Sequence, residues 1–577
     1  MSIIKPPQLG RPLGSYPFGS DSTRSTLSSD SKIAGLRAVQ TISQEADPEI
    51  INTGPDIALS SLEATLHLAL DPVTIHHLAN PAIINGCIRS MQAMMNRNPG
   101  IVSLFSHEYG YLCFQLLSIA LDTCLLKEWG KLDKVESICD QHPLTSPRFV
   151  VSSELSMAMD DHLDELKSKG DSRWVLGWST STGRRQQIPL VSRTNVSALC
   201  NMLWSDRKRF LEVVTLVPPE ASGLSGVMFL LSRYLAHERD HQQDPNWWLL
   251  NERIYEITLR YLLVADEYHR GAIHYILDCY EGSPNWEDSP KHLDAEDSRT
   301  IMTAFVKKLS SNDIPDILIF RDPGMALRLV SLAIDVDSHD LLPAVFERTI
   351  ESGWAMFLEL PETEGPEPVA SLIFLSLLWM ICPPYEVHRD YQVNLSTQAG
   401  IIRSIRNGEF IDLVARILTW VNLPNRVWRD RDTDLLQDVN VLFEALGLLF
   451  DKKQLEIGFR DYIVRWQSVY QLMLIGGSRM SSPHTPSFDP INTQCLRSWL
   501  LIARCLALEP EASNLIGHGC SSGRCPGAYV PRFGRSNCGH ATYCDDRCQV
   551  MDWRFGGYSR PHCQLCRSGS EYVRHGK

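Results

Sequence analysis

Seven of the sixteen cysteines in this 577-residue chain lie between residues 520 and 566, and two histidines lie among them. Thiolate sulfur and imidazole nitrogen are the ligands that hold structural zinc, usually four to a metal. Cys544 and Cys548 are four residues apart, and His562 and Cys566 repeat that spacing, so each pair can project from one face of a helical turn and supply half a site. The other residues of the cluster are Cys520, Cys525, Cys538, His540 and Cys563.

The same segment is poor in the residues that build a hydrophobic core. Residues 519–568 contain few Leu, Ile or Val and many Cys, Gly and Arg. Such a segment needs a staple to fold, and zinc binding supplies about 10–16 kcal/mol in model fingers. Because the N-terminus has no apolar core of signal-peptide length, we expect reduced thiols and a cytoplasmic or nuclear protein that is not secreted. This expectation favours zinc over disulfides.

A second candidate metal motif is the sequence HERDH that begins at His237. His237 and His241 are four residues apart with Glu238 between them, which is the spacing that metalloproteases use for zinc and for the base that activates its water. The interior residues Arg239 and Asp240 are both charged, whereas zinc-protease helices usually bury uncharged residues there. The charged interior residues make the motif the weaker candidate. A zinc metallohydrolase that uses His237, Glu238 and His241 is the alternative function.

The rest of the chain must position these residues, and its apolar pattern is helical. Segments such as GVMFLLSRYLAHE and VNVLFEALGLLF place apolar residues three and four apart, and alternating strand patterns are scarce. We predict a mostly α protein, with an irregular or solenoid-like helical body over residues 51–512 and a small zinc-stabilised finger over 516–570. Residues 1–50, rich in Ser, Pro and Gly, are predicted to be a disordered arm.

Charge and hydropathy limit the partners that the chain can have. The net charge of −13 and the pI near 5.8 argue against binding nucleic acid or an anionic membrane through the whole surface. From residue 515 onward the balance is reversed, with nine Lys and Arg against four Asp and Glu. The longest apolar run, residues 369–382, is too short to span a bilayer and predicts a buried helix.

The stretch YCDDRCQVMDW at residues 543–553, followed by a His-x3-Cys pair, resembles the second half of a MYND-type zinc finger. The resemblance is confined to the C-terminal segment and implies two interleaved zinc sites. It assigns Cys520, Cys525, Cys544 and Cys548 to the first site, and Cys538, His562 and Cys566 to the second. The family's third cysteine is absent near Arg535, and either His540 or Cys563 could replace it, so one or two zinc ions are expected.

The resemblance also implies a function. In MYND-type fingers the helix after the fifth ligand often lines a groove for a proline-containing peptide, and Gln549 and Trp553 occupy the matching positions here. An exposed Trp beside an amide is a suitable anchor for an extended peptide. We therefore expect a non-enzymatic adaptor or regulatory protein, in which structural zinc shapes a surface that binds a partner protein.

Overall fold

The computed structural model describes most of the chain, in the following ranges: residues 9–18, 27–44, 57–97, 100, 102–168, 175, 189–217, 223–241, 247–278, 293–310, 322–359, 365, 367–383, 392–423, 429–478, 490–508, 524 and 546–555. Helices and turns make up these ranges, and no strand occurs in them apart from one isolated bridge between Pro12 and His107. The predicted mostly α class is confirmed. The chain forms two compact units, Met1–Trp286 and Glu287–Lys577.

The helices of the first unit differ widely in length. They are α1 (Ser29–Gln44), α2 (Leu59–His67), α3 (Pro81–Arg97), α4 (Glu108–Glu128), α5 (Asp133–Gln141), α6 (Pro147–Ser168), α7 (Arg193–Ser205), α8 (Arg207–Leu216), α9 (Ser225–His241), α10 (Trp247–Leu262) and α11 (Glu267–Asp278). Short 3-10 helices lie at Leu13–Ser15, Leu68–Leu70 and Ile75–Leu78.

The core of the first unit is built around α4. This helix is apolar on every face, so nearly all of its side chains are buried, and it packs against α2, α3, α6 and α9. Among the described residues it is the one helix that is long and apolar enough to cross a membrane, but 94% of that window is buried inside the protein. Burial of this kind is typical of a core helix.

The segment predicted to be a disordered arm, residues 1–50, lies partly within the described ranges. Residues 9–18 and α1 are part of the first unit, and Leu9, Leu13 and Ile42 are buried. The helix has few large apolar residues because it packs by close backbone approach. A Cβ on Gly86 of α3 would lie 2.3 Å from the Ile42 carbonyl oxygen. A glycine on α3 therefore allows the close approach of α1, and a search for large apolar residues misses this contact.

The second unit carries the C-terminal cysteines. Its helices are α12 (Ala295–Lys308), α13 (Asp322–Ala333), α14 (Leu342–Glu359), α15 (Glu367–Ile381), α16 (Leu395–Asn407), α17 (Phe410–Val421), α18 (Asp430–Leu449), α19 (Lys452–Phe459), α20 (Ile463–Ser478), α21 (Pro490–Cys505) and α22 (Asp546–Phe555). Two 3-10 helices lie at Val336–Leu341 and Arg460–Tyr462. The apolar run predicted to be a buried helix lies largely in α15, which packs against α13 and α18.

Two of the helices that matter for the candidate site, α17 and α20, are held by the core of the second unit. The helix α17 packs against α14, α16 and α21. The helix α20 is fastened to α21 by Trp466 and Trp499, whose rings stack 6.1 Å apart. Each indole N–H donates to the backbone carbonyl of the other tryptophan at 3.1 Å. Both rings are buried, so the side chains on this part of α20 start from a rigid base.

Candidate metal-binding segment and its anchor on the helical body

The structure describes one of the eight predicted zinc ligands, Cys548, which lies on α22. The other seven, Cys520, Cys525, Cys538, His540, Cys544, His562 and Cys566, lie outside the described residues, as does Cys563. The helix begins at Asp546, two residues after Cys544. Gln549 and Trp553 also lie on α22, four residues apart. Within the described ranges, no three His, Cys, Asp or Glu residues are grouped in a way that could hold a metal.

The Cys548 side chain is fully buried and faces a cation. Nη2 of Arg465, on α20, donates a hydrogen bond to Sγ of Cys548 at 2.9 Å. A guanidinium is always charged, and a thiolate is a far better acceptor for it than a neutral thiol. The surroundings of Cys548 therefore fit a sulfur that carries negative charge, as a zinc-bound cysteine does. Zinc held there by Cys548 and other cysteines would cross-link the segment.

Arg465 also faces a carboxylate of the body. Its Nε lies 2.8 Å from Oδ1 of Asp412, on the first turn of α17. The hydroxyl of Tyr462 donates to the same oxygen at 2.5 Å. Burial and the charge of Asp412 hold the pKa of Tyr462 well above its ordinary value, so this hydroxyl remains a donor. Asp412 is completely buried and is stabilised by these two groups together.

A second arginine enters the same place from α22. Nε of Arg547 lies 3.0 Å from Glu409, and its Nη2 lies 3.6 Å from Asp412. The same Nη2 donates to the backbone carbonyl of Arg406 at 3.1 Å, and the guanidinium lies 5.6 Å from the centre of the Tyr462 ring. We call Glu409, Asp412, Arg465 and Arg547 the buried ion cluster. It joins α22 to the helical body.

Glu409 has an unusual backbone and an unusual ionisation. It precedes α17 with φ of 56°, a left-handed conformation that costs energy for a residue with a side chain. Its carboxylate is buried, and burial together with the nearby charge of Asp412 raises the pKa of Glu409 to about 8. The arginines of the buried ion cluster lower this pKa but do not outweigh burial. Glu409 therefore holds a proton at neutral pH.

Arg524 provides a second attachment of the cysteine-rich segment. Its Nη1 and Nη2 donate to the two carboxylate oxygens of Glu351, on α14, at 3.0 and 2.5 Å. The guanidinium also lies 5.6 Å from the centre of the Trp354 ring, and Arg524 is buried. A two-pronged contact of this type fixes orientation as well as position. The segment between Cys520 and Cys566 is thus attached to the body at both described points.

The HERDH motif has a different geometry from a protease site. Glu238 lies on α9 and is buried, and Arg193 binds both of its oxygens, with Nε and Nη2 each 2.6 Å away. A general base must be within reach of the water that it activates, whereas this carboxylate is occupied by a guanidinium. His237 is buried, and the side chain of His241 lies outside the described residues. The geometry gives Glu238 a structural role.

The first unit also contains a buried serine–histidine cluster that the sequence analysis did not identify. Oγ of Ser156 lies 2.7 Å from Nδ1 of His269, and Oγ of Ser225 lies 3.1 Å from the same nitrogen. Serine beside histidine can form a nucleophile, but Ser156 is 1% exposed and His269 is 2% exposed, which excludes substrate. Ser156 and His269 are 113 positions apart, and nothing in their local sequence connects them. They form a polar part of the core.

Comparison with known proteins found no match to this chain among family models, curated proteins or solved structures.

Proposed function

We propose that this chain is a zinc-binding protein-interaction protein of the adaptor or regulatory kind. A structural zinc site in a MYND-like finger over residues 516–570 would follow an irregular helical body. The ligands would come from Cys520, Cys525, Cys538, His540, Cys544, Cys548, His562 and Cys566, with one or two zinc ions bound. Zinc supplies the cross-link that this coreless segment needs in order to fold.

The observation that carries the proposal is the environment of Cys548. A cysteine used only as a small hydrophobe packs against apolar groups, but the sulfur of Cys548 accepts a hydrogen bond from the guanidinium of Arg465, whose side chain is 10% exposed. The same helix is anchored by Arg547 in the buried ion cluster. These contacts support a finger that is held rigidly, since a binding surface gains affinity when it is ordered before the partner arrives.

The partner is proposed to be a protein that presents a proline-containing peptide to α22. Gln549 and Trp553 would contact it, and the neighbouring Val550 is exposed. The acidic net charge supports a protein partner over nucleic acid, and no membrane is proposed as a partner. The protein is proposed to act in the cytoplasm or the nucleus.

The chain is proposed to have no catalytic activity. Glu238→Gln is the test of the hydrolase alternative, because that change would abolish metal-assisted hydrolysis and leave the finger intact. Cys544→Ser should have the opposite effect. It would disrupt the finger and leave the helix that carries HERDH unchanged. A peptidase or esterase activity that is lost in Glu238→Gln and kept in Cys544→Ser would overturn the proposal.

Peptide binding can be tested on the zinc-loaded full chain. A display library of proline-containing peptides would be selected, and binding of the best peptide would be measured by fluorescence anisotropy. Trp553→Ala is expected to weaken binding at least tenfold, as loss of a tryptophan anchor does. Trp248→Ala, at an exposed tryptophan of α10, is the matched control and should bind as the unaltered chain does. Equal affinity of the two variants would contradict the assignment of Trp553.

A further inference from the structure

We propose that Arg465 is a positioning residue for the zinc site and that it couples metal loading to the packing of the helical body. The inference rests on the proposed function, because it requires that Cys548 is a zinc ligand. It assigns to Arg465, which belongs to the body and not to the cysteine-rich segment, the task of orienting the ligand sulfur. The finger and the rest of the second unit would then fold as one metal-dependent assembly.

The guanidinium of Arg465 contacts both the candidate zinc ligand and a carboxylate of the body. Nη2 donates to Sγ of Cys548 at 2.9 Å, and Nε lies 2.8 Å from Oδ1 of Asp412. One planar group therefore donates a hydrogen bond to a sulfur on α22 and forms an ion pair with a carboxylate on α17, and both of these partners are completely buried. Groups that hydrogen-bond to metal ligands orient those ligands, and their loss typically weakens metal binding tenfold to a hundredfold. Arg465 is placed to act in this way.

The packing around Arg465 and Asp412 restricts the movement of both side chains. Arg465 projects from α20, whose Trp466 is locked against Trp499 of α21, so the guanidinium has little freedom to follow a moving sulfur. Asp412 is held in addition by the Tyr462 hydroxyl. The position of Sγ is therefore imposed by the body. A zinc ion that fixes the sulfur also fixes the partner of Asp412, and this coupling must act in both directions.

Arg547 is a second cation of α22 that contacts the same part of the body. Arg547 precedes Cys548 directly and binds Glu409 and Asp412. Two consecutive residues of α22 thus contact the same part of the body, one as a cation and one as an acceptor. If zinc is removed, Cys548 is no longer linked to the other ligands. The contacts that Arg547 and Cys548 make with the body then no longer have zinc to keep α22 in place. Loosening is expected in α22, in the first turn of α17 and in the first half of α20, and not in the first unit.

Three variants of the full chain test the proposal. Arg465→Gln removes the charge and the fork, and Arg465→Lys keeps the charge but cannot reach both acceptors. Arg299→Gln removes an arginine of the same unit from an exposed pair with Asp340 and is the control. Zinc per chain is measured first by elemental mass spectrometry. The rate of zinc release to an excess of a chromophoric chelator is then measured beside thermal unfolding.

We expect zinc release to be at least tenfold faster in Arg465→Gln, with Arg465→Lys intermediate and Arg299→Gln unchanged. A folded Arg465→Gln that releases zinc at the rate of the unaltered chain would overturn the inference and leave the proposed function standing. An unaltered chain that contains no zinc would refute both the proposed function and the inference about Arg465. A purely structural role for Arg465 would lower the unfolding temperature without changing zinc release at a temperature where the variant is folded.

Hydrogen exchange of the unaltered chain decides the matter if Arg465→Gln does not fold. Exchange is compared before and after zinc is removed by the chelator. The inference predicts faster exchange in residues 409–414 and 463–473 of the body as well as in α22, with exchange in the first unit unchanged. Unchanged exchange in those two body segments after complete zinc removal would refute the coupling.

Discussion

Replacing Arg547 by Gln should destabilise the second unit, because it removes a cation from a buried place that holds two acidic side chains. Asp412 is 0% exposed and Glu409 is 1% exposed, so both carboxyl groups have little access to water, although the Arg547 side chain is 32% exposed. Breaking a buried ion pair by removing one partner costs about 3–5 kcal/mol. Two features of the structure reduce this cost. Asp412 keeps Arg465 at 2.8 Å, and Glu409 is mostly protonated at neutral pH because its pKa is raised to about 8.

The expected loss is therefore about 2 kcal/mol in the free energy of unfolding, below the usual range for a buried pair. It would be measured at pH 7 by urea unfolding of the full chain with hydrogen exchange as the readout, so that the two units are followed separately. The control is Arg299→Gln, whose pair with Asp340 is exposed on both sides. An exposed pair contributes at most about 1 kcal/mol. If Arg547→Gln were no more destabilising than this control, the buried ion cluster would not hold α22 to the body.

Stability should also respond to pH and to packing at defined residues. The pKa of Glu409 is about 8 in the folded protein against an ordinary 4.5. Its contribution to the free energy of unfolding is therefore full below pH 4.5 and is lost as pH rises to 8. In Glu409→Gln, the free energy of unfolding measured by urea titration should fall less over this pH range. Burial lowers the pKa of His269 from 6.5, so the first unit should lose stability as pH falls below that value, and a His269→Gln variant whose acid sensitivity equals that of the unaltered chain would refute this. Gly86→Ala should cost the first unit about 2 kcal/mol because its Cβ would meet a backbone oxygen at 2.3 Å, whereas Gly14→Ala, with open space around it, should cost less than about 0.5 kcal/mol by thermal unfolding.

The helical class could be predicted from sequence because apolar spacing is a local property. In an amphipathic helix the apolar period repeats within ten to twenty residues, and the periodic segments quoted from the sequence do form helices. The helix α1 escaped this method, since it buries Gly35, Ala38, Val39 and Ile42 and makes its contacts through close backbone approach. That type of packing depends on a partner helix, which a local pattern does not reveal.

The candidate site was predictable only where its chemistry is local. Spacing indicated a helix near Cys548, and α22 lies there, although it begins only at Asp546. The buried ion cluster was not predictable. Glu409 and Asp412 resemble the acidic residues that commonly begin a helix, and Arg465 lies 83 residues from the cysteine that it contacts. Nothing in the local sequence around Arg547 indicates that its side chain contacts Glu409 and Asp412 of the body.

The HERDH motif also shows how a local pattern leaves the partners of its side chains open. Its spacing matches a catalytic motif, but the structure pairs Glu238 with Arg193, 45 residues away in sequence. A short motif states which side chains share a helix face and says nothing of what lies opposite. Contacts of long sequence separation therefore decide the chemistry in both places.

Zinc content shows most directly whether the C-terminal cysteines form a metal site. The full chain, purified without chelator, would be analysed by elemental mass spectrometry together with Cys548→Ser and with His237→Gln. We expect one or two zinc ions per chain, a loss of at least one in Cys548→Ser and no loss in His237→Gln. A chain without zinc, or zinc that is lost in His237→Gln and kept in Cys548→Ser, would contradict this expectation.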